Sequence, residues 1–498
     1  MRKWVEIRRH NGRKKLFVDG TPFLVLGVQF NYNNSGKVSG FDYLFKHAAR
    51  LGCNTVFWGL TWKHLEGVPG RYDWSKLDHA IRRCRQYGLR MSLLWFGTKQ
   101  GDACWVAPDW MQADKDRFPR IRNAEGVELN GLCWNNPELQ ALEKKAFDAT
   151  LRHLSRVDGK RHTVILLQVQ NEPCWEMYIV KKGRFREMDQ WVERCHCDRC
   201  NAEKGRTGGT DHEFGVRAAV RHMNTLLKDQ KRLFPVLTYV NFAINPIRPG
   251  GDVDIFLDEC RRLDFVAPDF YGYQQGDLGF TMRFFARGRN LPFMAECATE
   301  KVGDSDRNLW LCIMEHGSQG FDPWALDHAF GWRIVRDNVV EHPPVSREGR
   351  WSDMAVKFSR AQRPLRAADR QIACALGSEN IMHYVSQGVP LRLEERRWGL
   401  FWRFENGPDA RWAVVRSGRD DLTVTGTDCL VSFFAMDPAR KLGVEEGRWE
   451  GNRWISTRKM AARVLMSNFR RQGLDDRAPT WDLDLDEGRT FRIRIHEK

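Results

Sequence analysis

Two glutamates stand where apolar runs give out. Residues 164–172 read VILLQVQNE and residues 291–296 read LPFMAE, and neither run carries a charge before its carboxylate. Each acid must therefore sit at the edge of a buried segment. Burial holds a carboxyl toward its neutral form, and a second carboxyl nearby pushes the two titrations apart, so that one can give up a proton while the other stays ionised. That is an acid/base and nucleophile arrangement. A second cluster lies in ERCHCDRCN, where Cys195, Cys197 and Cys200 have a C-x-C-x-x-C spacing that can wrap three thiolates around one ion. Cys174 and Cys297 flank the glutamates and read as small buried groups rather than nucleophiles.

The elements that must position these residues follow from the hydrophobic pattern. KLFVDGTPFLVLG is a short hairpin, with Asp-Gly as its two-residue turn, leading into a strand over Phe23–Phe30. A helical pattern stops at Gly52 before an apolar strand from Thr55 to Leu60. The unit repeats: Ser75 is placed to cap a helix carrying Leu77, Ala80, Ile81 and Cys84 on one face, Gly88 ends it, and Leu89–Trp95 is again apolar. Five more strands follow in HTVILLQVQ, PVLTYVNFA, LDFVAPDFYG, LPFMAEC and GSQGFDPWAL, with helical stretches between most of them. Eight buried strands alternating with helices predict an α/β fold, a (β/α)8 TIM barrel. A doubly wound sheet would need a Gly-rich phosphate loop, which is missing. Beyond Gln387 short alternating strands divided by Gly, Asn and Asp turns predict a smaller antiparallel β accessory domain. The expected division is a hairpin lead-in over residues 1–22, a barrel over 23–386 and a β-rich domain over 387–498.

In such a barrel chemistry collects at the C-terminal strand ends. Glu172 closes the fourth strand and Glu296 the seventh, so both face one rim. Two carboxylates about 5 Å apart across a sugar cleave a glycosidic bond with net retention. The bland alternative is a pair of ion-paired rim acids. Asn-Glu-Pro after an apolar fourth strand, with a Glu closing the seventh, resembles the clan of retaining (β/α)8 glycoside hydrolases. Residues 56–94 look like the second and third barrel units of the family 42 and family 35 β-galactosidases, and LLWFGTKQGDACWVAPDWMQADKDRFPRIR is closer to the family 35-like branch. The resemblance runs from about residue 15 to about residue 330. It implies Glu172 as acid/base, Glu296 as nucleophile and Asn171 as the residue that binds the substrate 2-hydroxyl. It also implies Tyr271 (or Tyr273) as the holder of the nucleophile and Trp324 as a sugar platform. Trp58, Trp62, Trp95 and Trp175 fall at or near the rim, where sugar stacking and core packing are both open. Pro173, Cys174 and Trp175 depart from the Asn-Glu-Tyr-Gly usual in family 42, and GVQFNYNN lacks the usual sugar-reading pattern. The substrate expected is a β-galactoside, with β-glucosides, β-mannosides, uronates or sulfated galactan fragments, or a barrel that binds sugar without turnover, as alternatives.

Three thiolates need a fourth ligand. Cys133, in LNGLCWNNPEL, supplies one, and the family 42 enzymes have a similar lone Cys upstream of the same triplet. The expectation is structural Zn2+ on Cys133, Cys195, Cys197 and Cys200, closed to water. An unmetallated thiol cluster, or a site with His196 in place of one Cys, is the alternative.

Thirteen cysteines, an odd number spread over 498 residues, suit reduced thiols, and no stretch has the roughly 18 apolar residues of a membrane span. A reducing cytoplasm is expected. The net charge of +15 makes an anionic oligosaccharide a candidate partner. Its basic residues are scattered, with no zinc-finger spacing or ribonucleoprotein motif, so a nucleic-acid partner is not expected. Homo-oligomerisation is left open.

Overall fold

A computed structural model describes residues 4–31, 37–100, 106–173, 192–243, 252–270, 277–298, 305–324, 326–327, 345–346, 348–437, 439–464 and 479–496. The eight expected strands form one parallel sheet: β1 (Val25–Leu26), β2 (Thr55–Thr61), β3 (Arg90–Gln100), β4 (Val164–Asn171), β5 (Leu237–Ala243), β6 (Phe265–Phe270), β7 (Met294–Ala298) and β8 (Gly320–Trp324). β8 pairs with β1 through Gly320 and Val25. The ring closes where Phe57 N donates to Val28 O at 3.0 Å and Phe30 N to Phe57 O at 3.0 Å. A helix follows each strand: α1 (Val38–Leu51), α2 (Ser75–Gln86), α3 (Pro137–Val157), α4 (Asp211–Leu226), α5 (Asp252–Glu259), α6 (Leu278–Phe285), α7 (Ser305–Trp310) and α8 (Asp353–Ala367).

Local sequence explains the joints. Gly52 and Gly88 end α1 and α2 with φ of 95° and 65°, which only glycine adopts without a Cβ clash. Asp19 and Gly20 are both left-handed, as a two-residue hairpin turn requires. Ser75 is not the cap of α2; it is the first helical residue, and its N–H goes to Asp73 Oδ1 at 2.9 Å, an ionised acceptor two residues upstream. Phe57, Tyr239, Phe265 and Phe293 fill the barrel interior, with Tyr239 stacked on Phe265 at 5.1 Å and Phe293 5.3 Å from Phe265. Burying each such ring is worth about 1.5–3 kcal/mol, so the floor beneath the strand ends is stiff.

The antiparallel domain is a nine-stranded sheet whose first strand is Ile381–Val385. RWGLFWRFENG and ARWAVVRSG do not form separate strands; they lie in one 19-residue strand, Leu400–Gly418, whose register against Asp421–Ala435 shifts between Asn406 and Arg411. An irregularity absorbs the turn-like Asn-Gly-Pro-Asp that the sequence suggested would divide them. The sheet docks on the barrel through Arg411 and Asp306, 2.8 Å apart, and through Thr425 Oγ1, which donates to Pro364 O at 2.9 Å. No helix among the described residues is long and apolar enough to cross a membrane.

Candidate active site

The fourth strand ends in an unusual backbone. Gln170 and Glu172 both have positive φ, 65° and 44°, and the register between β3 and β4 shifts between Trp95 and Gln100. Non-glycine residues in this region are strained by about 1–3 kcal/mol each and persist only where neighbours hold them. Asn241 on β5 is one such neighbour. Its Oδ1 accepts from Glu172 N at 3.0 Å, and its Nδ2 donates to Asn171 Oδ1 and to Asp269 Oδ2, both at 2.9 Å. Gln168 Nε2 also donates to Asn171 Oδ1, at 3.0 Å, so the capacity left on that side chain is its Nδ2 donor.

Glu172, Asp269 and Glu296 converge, with one carboxyl oxygen from each within 4.8 Å of the other two. Glu172 is 8% exposed and Glu296 7%, while Asp269 is fully buried. Glu296 lies beside Asp269 in the β6/β7 register, and Gln29 Nε2, three residues beyond β1, donates to Glu296 Oε2 at 3.2 Å. Burial raises the Asp269 carboxyl well above the usual range, followed by the charges of Glu296 and Glu172 and a hydrogen bond to Glu172; the bond from Asn241 opposes the shift. Asp322 on β8 is also fully buried and raised, by burial first and then by Glu296. Neither Asp322 oxygen meets a hydrogen-bond partner among the described residues. The mouth thus holds one carboxyl, Asp269, pushed toward its neutral form next to Glu172 and Glu296, which keep a slight exposure.

Asp269, Asn241 and Gln29 were not anticipated from sequence. Asp269 could have been found by the logic that found the glutamates, since FVAPD is another apolar run ending in a carboxylate. Trp324 sits at the end of β8, paired in register with Ala298 and 6% exposed. Trp58 and Trp95 are corrected: neither faces the mouth. Trp58 turns outward to α1, edge-on to Phe41 at 5.5 Å, and Trp95 is buried against α3, with Nε1 donating to Glu143 at 3.0 Å. Trp62 is likewise buried, donating to Glu66 Oε2 at 2.6 Å. Trp175, Tyr271, Tyr273 and Cys174 lie outside the described residues.

Cys133 precedes α3, Cys195 and Cys197 lead into the helix Asp198–Thr207, and Cys200 lies in its first turn. Their four Sγ atoms lie within 4.8 Å of one another, with Cys133 3.5 Å from Cys200 and 3.8 Å from Cys197. A tetrahedron of thiolates with Zn–S near 2.3 Å has edges of about 3.8 Å, so the donor set fits that ion. Asn135 Nδ2 donates to Cys200 Sγ at 3.2 Å, a bond that favours a thiolate. Hydrogen bonding between thiols, chiefly from Cys133, holds Cys197 far below its ordinary value. His196 is not a ligand; it turns to Asp211, 3.8 Å away.

No protein-family profile matches the chain, and no curated protein matches it in sequence. Solved structures do. The β-galactosidase of Bacillus circulans sp. alkalophilus superposes with a TM-score of 0.52 at 14% identity, over 71% of this chain and 57% of that one. The β-galactosidase of the psychrophilic Marinomonas ef1 gives 0.52 at 13%, over 71% and 62%. A catalytic mutant of a GH42 β-galactosidase from G. stearothermophilus gives 0.50 at 10%, over 95% and 98%. The likeness is one of fold. This chain spans 57% and 62% of the length of the first two, so what those proteins do as wholes is not carried across by the superposition.

Proposed function

We propose that the chain is a retaining β-glycosidase, hydrolysing β-galactosides or related β-linked oligosaccharides by double displacement. One observation carries the reading: one carboxyl oxygen of Glu172 and one of Glu296 lie within 4.8 Å of each other at the barrel mouth. Retaining pairs stand about 5–5.5 Å apart, whereas inverting pairs leave about 6.5–9.5 Å for a water. In the first step Glu296 attacks the anomeric carbon while Glu172 passes its proton to the departing oxygen. In the second, Glu172 takes a proton from the water that displaces Glu296, and the configuration is retained. The free Nδ2 of Asn171 is placed to bind the 2-hydroxyl, a contact that strengthens in the transition state. Trp324 is assigned as the platform for the sugar's apolar face, and Tyr271 and Trp175 as further substrate contacts.

The galactoside preference rests on the names of the structural neighbours, and the charge of +15 favours an anionic variant of such a sugar. Cys133, Cys195, Cys197 and Cys200 are assigned to Zn2+, which would tie two rim segments together and supply no chemistry, because four thiolates leave no position for water. Every cysteine among the described residues is a free thiol, in keeping with a cytoplasmic setting.

The test is a panel of nitrophenyl β-glycosides with the wild type, Glu172→Ala and Glu296→Ala. Both variants should lose several orders of magnitude, and azide should rescue Glu296→Ala with inverted product. Sugar binding without turnover by the wild type on any member would favour a non-hydrolytic barrel instead.

A further inference from the structure

Behind the mouth, on the helix side of β3 and β4, lies a polar group that the chemistry above does not use. Glu143 on α3 and His222 on α4 are both fully buried, with Glu143 Oε2 accepting from His222 Nε2 at 2.9 Å and from Thr98 Oγ1 at 3.0 Å. Glu143 Oε1 accepts from Trp95 Nε1 at 3.0 Å and from Gln170 Nε2. The carboxylate reaches the strands only because residue 97 is glycine; a Cβ there would lie 1.8 Å from Glu143 Oε1. Gly97 N in turn donates to Gln170 Oε1 at 3.3 Å, so the Gln170 amide is gripped at both ends. Trp134, next to Cys133, closes the group by stacking on His222 at 5.3 Å and donating to Thr98 Oγ1 at 2.9 Å.

Gln170 is one of the two left-handed residues that bring β4 to its end. Its backbone turns its side chain out toward Glu143 and sends Glu172, two residues on, into the mouth. A buried carboxylate with four donors is a strong anchor, because breaking any one bond leaves a donor stranded away from water. We infer that Glu143 is a positioning residue for the acid/base: by holding Gln170 in its left-handed conformation it sets the Glu172 carboxyl over Asp269 and Glu296. The inference rests on the glycosidase reading for its kinetic consequence and on the geometry alone for its structural one.

Gln170→Met removes both grips at nearly constant volume, and Glu143→Gln keeps one carbonyl oxygen for Gln170. Aryl β-glycosides with leaving groups from dinitrophenol to phenol separate the outcomes, since only poor leaving groups need a well-placed acid. For Gln170→Met the loss of kcat/KM should grow from under about threefold on dinitrophenyl substrates to about 10²-fold on phenyl substrates, with Glu143→Gln in between. An equal loss across the series, or none, overturns the inference. The crystal structure of Gln170→Met should show the Glu172 carboxyl moved out of the cluster with Asp269 and Glu296; an unchanged placement overturns it whatever the kinetics. Should the wild type turn over no sugar at all, the glycosidase reading fails and this crystallographic comparison still decides the positioning.

Discussion

Two clusters of acidic side chains sit at the same end of this barrel and are built in opposite ways. The carboxylates of Glu172, Asp269 and Glu296 come from three separate strands, and neutral amides, Asn241 and Gln29, stand among them. The thiols come from two irregular segments and the first turn of the helix Asp198–Thr207, and touch each other directly, at 3.5 and 3.8 Å. Burial and the neighbouring charges push Asp269 up the pH scale, and the Asn241 amide opposes that shift. The mutual sulfur contacts have the edge lengths of a closed coordination shell. Both concentrate like charge, but one arrangement keeps protons exchangeable and the other asks for a cation to replace them.

The contrast breaks most directly at Glu296. Glu296→Ala should lower kcat on activated aryl glycosides by at least about 10⁴-fold, since without the nucleophile no glycosyl-enzyme forms. Turnover that survived would place the chemistry elsewhere. On the thiol side, purified protein should carry about one zinc per chain, and Cys197→Ser should lower both the metal content and the melting temperature. A metal-free chain indifferent to chelators would leave the sulfur cluster as simple packing.

Finer cuts concern the neutral acids. Asp269, if protonated through the working pH range, can be replaced by an amide: Asp269→Asn should cost less than about tenfold in kcat near neutral pH, read from initial rates. A variant as dead as Glu296→Ala would make Asp269 a reacting group in its own right. Asp322 gives the smallest effect, on stability. Its folded pKa is raised, so between the unfolded value of about 3.9 and the folded one the native state holds a proton that the unfolded chain has released, and stability falls as pH rises through that window. Asp322→Asn should therefore raise the melting temperature at pH 7, with the gain fading below about pH 4. A gain independent of pH would argue that the orphaned carboxyl is not neutral in the fold.

Much of this was legible in the chain. All eight strands announce themselves because their apolar runs are covered on both faces, and Glu172 and Glu296 stand out because a charge ends such a run. Asp269 ends such a run too, whereas Asn241 and Gln29 are harder, since one polar residue within an apolar run reads as a flaw until the opposite strands are in place. The tryptophans show the limit of rim placement. Trp58 is at the right height, yet Phe57 takes the inward side of the pleat, so Trp58 faces α1, and the sequence alone does not say which of two adjacent aromatics turns in. The positive φ at Gln170 and Glu172 was equally hidden, because neither residue type advertises it.

That last feature sets durability against use at one codon. A glycine in place of Glu172 would relax the backbone and take a carboxyl out of a crowded mouth, so the protein made more robust by that exchange would also have lost its proton donor. Alanine, which keeps the Cβ, would relieve only the crowding.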